Sequence, residues 1–346
     1  GNIGGGLEAF VMNYYRELSK MDVQFDFVCM YGKIAYEKEI KTLGGRIFYV
    51  PNVKKNYLGY VKRFKQILKK GNYDVVHVNM LSAANIVPLR LASKAGVRKV
   101  IAHSHNSSCP GMVRKFMHWC NRARIKRYAT DFFACSEVAG RWLFGNEDYD
   151  AGKVVIVHNA ISMERYLFSE DHRAIVRSAF GWGNRFVVGH VGRFDPQKNH
   201  EGLLDIFKEI LKKRPDAVQA LVGSRGGQYE NILEREKSEN LEDKVFFLGK
   251  RTDIGAFLSA MDVFLFPSLY EGLPFALVEA QANGLTCVIS DTISREVNVI
   301  PGQLKPLSLG TSPEKWAETV VRAGKRPRVG KEEIYQGLVE GHFDIC

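Results

Sequence analysis

Residues 264–284 read FLFPSLYEGLPFALVEAQANG, and the rest of the chain can be interpreted around this stretch. The apolar run Val263–Phe266 predicts a buried parallel strand, which ends at Pro267. After a short loop, Pro274 predicts the first turn of a helix that stops at Gly284. A strand, a loop and a helix N-terminus together form an anion site, because free backbone N–H groups and the helix dipole point to one place.

Two carboxylates flank this anion site. Glu271 lies in the loop, and Glu279 lies five residues after Pro274, about 7–8 Å further along the helix at 1.5 Å per residue. A phosphate group at the helix N-terminus therefore has a carboxylate on either side, each able to accept hydrogen bonds from hydroxyl groups. This arrangement fits a nucleotide sugar, with sugar hydroxyls at one end, a diphosphate in the middle and ribose hydroxyls at the other.

The composition is that of a soluble globular protein with room for two domains: 346 residues, 45% hydrophobic and 25% charged. No apolar run approaches the length of a membrane span, and no signal peptide is visible. The six cysteines are scattered without metal-ligand spacing, which predicts reduced thiols in a cytoplasmic protein.

Charge is distributed unevenly along the chain. Residues 1–165 hold 26 Lys+Arg and 13 Asp+Glu, a net charge of +13, whereas the remainder holds 23 and 25, a net charge of −2. A basic half joined to a nearly neutral half indicates that one domain meets an anionic surface.

Predicted strands and helices alternate along the whole chain, which predicts parallel, doubly wound α/β sheets. The predicted domains are residues 1–165 and 185–346, with 166–184 as the crossing between them. In the second domain the predicted elements include strands Phe186 to Val191, Val218–Val222, Val263–Phe266 and Cys287–Ser290, and helices Glu201 to Lys213, Ile254–Ala260 and Pro313–Ala323.

The pattern Glu271-x7-Glu279, preceded by FPSLYEGLP, resembles the E-x7-E motif of retaining glycosyltransferases with the GT-B fold. It is most similar to family 4, and within that family to bacterial capsule and exopolysaccharide enzymes. The resemblance implies two Rossmann-like domains facing a cleft, and transfer from a nucleotide-activated sugar to an acceptor hydroxyl. In this family the leaving group is usually drawn as departing from the same face of the sugar that the acceptor attacks. It implies that Glu271 contacts the donor sugar, that Glu279 contacts the ribose, and that the segment Gly272, Leu273, Pro274, Phe275 and Ala276 contacts the diphosphate.

A second loop, GRFDPQKNH at residues 192–200, follows a predicted strand and brings Arg193 and Lys198 together. Both cations can stabilise the negative charge of a departing nucleoside diphosphate. As an isolated pair they would more often be solvated surface residues, but they match the G-R-x4-K loop of the family. The resemblance further implies that Gly223 and the backbone around Arg251 lie near the nucleobase.

The chain opens with a glycine-rich loop that leads into a helix, and such a loop normally follows a strand. We therefore expect a first strand to be missing, and the resemblance implies a final helix beyond Cys346. In the family the loop backbone, here Gly5 and Gly6, approaches the donor phosphates.

The segment HSHNSS, residues 103–108, follows a strand of the first domain. It is either a polar turn or a ligand-facing loop, since open α/β sheets bind ligands at the carboxyl ends of their strands. The resemblance implies that a histidine faces the transferred sugar, with His105 the better match and His103 the alternative.

Two other features bear on ligands and partners. Asp148-Tyr149-Asp150 is a D-x-D sequence, but it precedes a strand rather than following one, so we predict no metal site. We also predict no cofactor besides the nucleotide-sugar donor, and we favour a UDP-sugar over a GDP-sugar. The basic tracts 54–70 and 114–127 are either solvated helix faces or segments that bind an anionic membrane surface. The second alternative predicts a cytoplasmic, peripheral enzyme that acts on a lipid-linked or oligosaccharide acceptor. Nucleic acid ranks last, because no recognised motif supports it.

Other functions remain possible on the same fold. A catalytically inactive, sugar-nucleotide-binding subunit of a polysaccharide-assembly complex would keep the domains, but loss of Glu271 or Lys198 would favour it, and both are present. A hydrolase or epimerase would have no need of a basic acceptor domain.

Overall fold

The computed structural model describes residues 6–30, 32, 34 and 36–345. The chain forms two compact units, Gly1–Asn159 and Ala160–Cys346. The division falls six residues before the predicted end of the first domain, and the predicted crossing 166–184 lies wholly within the second unit.

In the first unit, helices and strands alternate from the N-terminus onward. The elements are α1 (Gly6–Leu18), β1 (Asp26–Cys29), α2 (Glu37–Thr42), β2 (Arg46–Tyr49), α3 (Tyr57–Gly71), β3 (Val75–Met80), α4 (Val87–Lys94), β4 (Lys99–Ser104), α5 (Met112–Arg122), β5 (Asp131–Ala134), α6 (Glu137–Phe144), α7 (Asn146–Asp150) and β6 (Val154–Ile156).

The strands of the first unit are parallel. In the described residues, β1 pairs with β2, and a second sheet has the order β3-β4-β5-β6. Helix α3 covers one side by burying Tyr60, Phe64 and Ile67 in a core shared with β2 and α4. The strand–helix alternation predicted from the sequence is therefore present.

The second unit repeats this arrangement around a longer sheet. Its elements are α8 (Glu170–Ala179), β7 (Val187–Val191), α9 (His200–Lys213), β8 (Val218–Val222), α10 (Tyr229–Ser238), β9 (Val245–Phe247), α11 (Ile254–Ala260), β10 (Val263–Phe266), α12 (Phe275–Ala282), β11 (Cys287–Ser290), β12 (Leu304–Leu307), α13 (Pro313–Ala323) and α14 (Lys331–Glu340).

The parallel sheet of the second unit has the order β12-β11-β10-β7-β8-β9. From β7 the chain builds outward through β8 and β9, and then returns to place β10 on the other side of β7. Strand order therefore reverses between β7 and β10. In open α/β sheets such a switch point opens a crevice at the carboxyl ends of the strands, and ligands bind there.

Residues 264–284 lie in the middle of this unit, on β10, α12 and the loop between them. Every residue of β10 and β11 is buried, and α12 is buried apart from Ala276. Burial on all sides explains why the stretch reads as continuous apolar sequence rather than as an alternating or one-faced pattern.

The predicted crossing contains helix α8, which packs against α11. From α8, Arg173 and Arg177 bind the two carboxylate oxygens of Asp262 at 2.6 and 2.8 Å, and they also donate to carbonyl groups at the end of α11. This segment is therefore an integral part of the second unit.

Candidate active site

Two loops leave the switch point of the second unit, one from β7 and one from β10. Leu269 N donates to Gln197 O at 2.8 Å, and Asn199 Nδ2 donates to Pro267 O at 3.1 Å. These bonds hold the loop with Arg193 and Lys198 against the loop with Glu271. The two motifs, separated by about 70 residues in sequence, form one structure at the carboxyl edge of the sheet.

Lys198 and Glu271 form an ion pair in this structure. Lys198 Nζ lies 2.6 Å from Glu271 Oε1 and 4.7 Å from the centre of the Phe266 ring. Both side chains are largely withdrawn from solvent, with relative exposures of 18% and 8%. A cation held in this position is ready to meet a phosphate, and a carboxylate beside it is ready to accept from hydroxyl groups.

Gln197 supports Glu271 from the other side. Its Nε2 donates to Glu271 Oε2 at 3.0 Å and to Tyr270 O at 2.9 Å. The two oxygens of Glu271 are thus bound by different residues of one short loop, which fixes the plane of the carboxylate. Gln197 was not among the predicted site residues, although it directly precedes Lys198.

Arg193 behaves differently from Lys198. Its Nε lies 3.3 Å from Asp195 Oδ2, and both side chains are substantially exposed. The predicted pair of cations therefore shares a loop, as expected, but only Lys198 is anchored to Glu271. An exposed ion pair of this kind contributes little stability and leaves Arg193 able to move toward a ligand.

Glu279 lies on α12 and is buried. Burial raises the pKa of Glu279 to about 7, against the opposing effects of a hydrogen bond with Tyr166 and the charge of Arg165. Arg165 and Tyr166 also line a small pocket of about 130 Å³, together with His172 and residues 252–256. Glu279 is therefore withdrawn from water, and two of the residues that act on its carboxyl group, Arg165 and Tyr166, line this pocket.

The N-terminus of α12 carries no side-chain cap. Pro274 precedes the first helical residue, Phe275, rather than occupying the first turn as predicted. It has an extended backbone conformation, and Leu277 N donates back to Pro274 O at 3.1 Å. The residues Gly272, Leu273, Pro274 and Phe275 are buried, and Ala276 is half-buried. Their contact with a diphosphate stays a prediction.

Three glycines align the ends of neighbouring strands beside these loops. Gly192 N donates to Val222 O and Gly223 N donates to Gly249 O, each at 2.9 Å. A Cβ at Gly223 would lie 1.9 Å from Gly192 O, so only glycine permits this approach. The packing of the strand ends by itself accounts for Gly223, and its contact with a nucleobase stays a prediction.

Arg251 follows Gly249 on the last of these loops. It binds Asp253 at 2.7 Å, and its guanidinium lies over the Phe257 ring at 4.6 Å. The side chain is therefore occupied within the loop, which leaves the backbone for any contact with a base, as the resemblance implies.

His105 lies in the first unit, directly after β4. Its backbone N–H donates to Met80 O at 3.0 Å, and its Nε2 donates to Asn79 Oδ1 at 2.8 Å. The ring stacks on His103 at 4.0 Å, and Phe10 packs against it at 4.8 Å.

Burial, with a smaller effect from His77, lowers the pKa of His105 to about 3. The ring is therefore neutral at pH 7, and because Nε2 carries the proton of the hydrogen bond to Asn79 Oδ1, Nδ1 is an acceptor. His103 is more deeply placed, with its Nδ1 3.0 Å from His77 Nε2. This favours His105 over His103 as the ligand-facing residue, and Asn79 is a second residue that sequence analysis missed.

The other predicted features are the glycine-rich loop and the D-x-D sequence. Gly5 lies outside the described residues, and Gly6 is the first residue of α1. In the D-x-D sequence, Asp148 is buried and binds Lys126 at 2.6 Å and Lys153 at 3.1 Å, while Asp150 binds Arg141 at 2.7 Å. These ion pairs account for both carboxylates within the fold.

Known families match both units. The model described as glycosyltransferase family 4 matches residues 4–165, and the model described as glycosyl transferases group 1 matches residues 172–325. The second match includes both loops of the switch point and Glu279.

Individual proteins extend this likeness over the whole chain. The chain is 36% identical to the glycosyltransferase EpsF of Bacillus subtilis, over 98% of this chain and 90% of that protein. It is 31% identical to the UDP-Gal:alpha-D-GlcNAc-diphosphoundecaprenol alpha-1,3-galactosyltransferase of Escherichia coli, over 71% of this chain and 66% of that protein.

Among solved structures, HepE of Anabaena in complex with UDP-glucose superposes with a TM-score of 0.76 at 19% identity, covering 99% of this chain and 93% of that one. This likeness shows the fold. Together with the family matches and the extent of identity to EpsF, it shows that the chain belongs to the family 4 glycosyltransferases of the GT-B fold.

Proposed function

We propose that this protein transfers a hexose or N-acetylhexosamine from a UDP-sugar to a hydroxyl of a lipid-linked acceptor, with retention of anomeric configuration, in exopolysaccharide or capsule assembly. The observation that carries the proposal is the Lys198–Glu271 ion pair at the switch point of the second unit. It joins a cation suited to a diphosphate with a carboxylate suited to sugar hydroxyls.

In the proposed reaction the bond between the anomeric carbon and the diphosphate oxygen breaks, and both of its electrons go to the diphosphate. Lys198, Arg193 and the amides at the start of α12 stabilise the charge that develops there. The acceptor oxygen bonds to the same face of the anomeric carbon, and its proton passes to the departing phosphate oxygen. Glu271 holds the sugar hydroxyls, so that the sugar stays oriented while the bond breaks.

The choice of donor and acceptor is supported by two proteins that this chain resembles. The Anabaena protein binds UDP-glucose, and the Escherichia coli relative acts on a sugar linked to diphosphoundecaprenol. We propose no divalent metal for leaving-group stabilisation, because two cations and a helix N-terminus already meet the diphosphate.

We also propose a cytoplasmic enzyme, peripheral at the inner face of the plasma membrane. No described helix is long and apolar enough to cross a bilayer.

The test is incubation with a panel of UDP- and GDP-sugars, with and without a diphosphate-lipid acceptor, following release of the free nucleoside diphosphate. We expect release that needs acceptor, prefers one UDP-sugar and continues in EDTA, and a product whose anomeric coupling in NMR matches that of the donor. Donor binding without turnover under any acceptor would instead support an inactive subunit, and release without acceptor would support a hydrolase.

A further inference from the structure

Helix α5 exposes large apolar side chains to an extent unusual for a protein surface. The relative exposures are 87% for Met112, 74% for Val113, 66% for Phe116, 44% for Met117 and 75% for Trp119. Single exposed apolar residues are ordinary, but five on one short helix form a contiguous patch, and such patches mark interaction sites.

The orientation of α5 is the reverse of that of an ordinary surface helix. At about 100° per residue, the five exposed side chains occupy an arc of about 160°. The opposite side faces the protein: the buried His118 ring stacks on Trp142 at 4.1 Å, and its Nδ1 accepts from Ala83 N at 3.1 Å. Arg122 donates to Arg141 O at 2.7 Å. Polar contacts thus anchor the helix and leave its apolar face outward.

Helix α3 provides the contrast within the same unit. It is also basic and amphipathic, but it buries Tyr60, Phe64, Ile67 and Leu68 in the core and turns its lysines outward. Of the two basic tracts, 54–70 therefore packs most of its apolar face into the core, whereas the apolar face of α5 has no partner among the described residues.

The charge around α5 indicates what covers it. Between Asp74 and Asp131 the sequence contains no Asp or Glu and ten Lys and Arg residues. Arg114 and Lys115 are exposed on α5, and Arg124 and Arg127 are exposed just beyond it. The occupant must therefore accept apolar side chains and carry negative charge. A second copy of this surface would bring like charges together, whereas an anionic lipid leaflet meets both requirements.

We propose that α5 lies in the interface of an anionic lipid leaflet, with Trp119, Phe116 and Met112 at the boundary between headgroups and acyl chains. This inference deepens the proposed function, because α5 begins seven residues after His105. A helix held in the leaflet would keep the His105 loop close to the surface that carries a lipid-linked acceptor.

The test is co-sedimentation of the full chain with vesicles of phosphatidylcholine alone or with about one third phosphatidylglycerol. Wild-type protein is expected to bind the anionic vesicles, and added salt is expected to weaken binding. F116S/W119S is expected to lower the partition coefficient at least about tenfold, because both rings leave the interface. The matched control is L58S, which alters an equally exposed apolar residue on α3 (79%) and is expected to bind normally.

Trp119 supplies a second measurement that reports on the helix itself. The other three tryptophans are wholly or partly buried, so a blue shift and quenching by brominated lipid are expected from Trp119. The variant W119F is expected to lose both signals while retaining most of the binding. Unchanged melting temperatures would show that the variants fold.

The outcomes separate this inference from the proposed function. Equal recovery of the protein in the supernatant with both vesicle types would overturn the membrane inference. Dimerisation that depends on protein concentration, needs no lipid and is abolished in F116S/W119S would also overturn it. Sugar transfer to a soluble, short-chain acceptor is expected to be unaffected in F116S/W119S. Transfer without vesicle binding would refute the membrane inference alone, and vesicle binding without any transfer would refute the proposed function alone.

Discussion

At the residue scale, the two cations of the β7 loop are not equivalent. Lys198 is fixed by Glu271 and Phe266, whereas Arg193 pairs at the surface with Asp195. A fixed charge needs no reorganisation as the leaving group departs. We therefore expect Lys198→Ala to lower kcat/KM by about 10²–10³, and Arg193→Ala to lower it less, in steady-state assays. The control is Lys212→Ala, at the far end of α9. Equal losses of kcat/KM in Arg193→Ala and Lys198→Ala would contradict the distinction between the two cations.

Gln197 is a positioning residue, since it acts through Glu271. Gln197→Ala is expected to lower kcat about tenfold with little change in donor KM, because the carboxylate loses the hydrogen bond to its Oε2. Gln197→Glu is expected to be worse at pH 8 and to recover partly as pH falls, since the introduced carboxyl group can donate again once it is protonated. Gln336→Ala removes a similar Gln–Glu bond from an exposed helix and is the matched control. A pH-independent defect in Gln197→Glu would argue for a merely structural role.

Glu279 couples stability and donor binding to pH. Its pKa of about 7 in the fold exceeds the ordinary value of 4.5, so the folded state binds more protons than the unfolded state between these values. The free energy of unfolding is then expected to fall by at most about 3 kcal/mol as pH rises from about 4.5 to about 7. Above that range this group causes no further change. Glu279→Gln should remove this dependence in denaturant titrations at pH 5 and pH 8.

The same variant tests the predicted ribose contact. An ionised Glu279 accepts hydrogen bonds from hydroxyl groups best, so donor KM is expected to decrease as pH rises through about 7. Glu279→Gln is expected to raise donor KM and flatten this profile with little effect on kcat, because a ribose contact is equally present in ground and transition states. A loss confined to kcat would place Glu279 with the reacting sugar instead.

At the scale of elements, the carboxyl end of α11 is held by three arginines. Arg173, Arg177 and Arg328 donate to carbonyl oxygens of residues 258–261, where the helix dipole is negative. Burial, followed by the charge of Arg173, lowers the pKa of Arg328 to about 9. Asp262 binds two of these arginines and is the counter-ion of the group.

We therefore expect Asp262→Asn to destabilise the second unit by about 3 kcal/mol in urea titrations, since it leaves buried cations without their partner. Asp216→Asn removes the exposed pair with Arg214 and is expected to cost less than about 1 kcal/mol. Equal effects of the two substitutions would mean that the arginine group adds nothing beyond a surface pair.

At the scale of the whole molecule, the predicted donor contacts are concentrated in the second unit, in four loops and the start of one helix. Hydrogen–deuterium exchange with and without UDP should therefore show protection in residues 192–199, 223–228, 249–253 and 267–277. The expected effect is a slowing of exchange that saturates with UDP concentration, since a ligand stabilises what it contacts. Protection found chiefly in residues 6–159 would contradict the assignment of the donor site.

The sequence by itself determined the fold class and most elements of the second unit. Strands β8, β10 and β11 and helices α11 and α13 begin and end where predicted. Buried strands read as short apolar runs, and Gly223, Pro267 and Pro313 mark the end of β8, the end of β10 and the start of α13. Strand β12 was missed because Leu304–Leu307 contains both a lysine and a proline at the sheet edge, and α8 was missed because its segment is mostly polar.

Only the tertiary structure decided which side chains meet. Nothing local links Gln197 or Lys198 to Glu271, more than 70 residues away, and the D-x-D carboxylates are paired by lysines and an arginine that their motif does not contain. Helices α3 and α5 read alike as basic and amphipathic, yet one apolar face is buried and the other exposed. The period of a helix determines that it has an apolar face, whereas the direction of that face depends on what the rest of the chain packs against it.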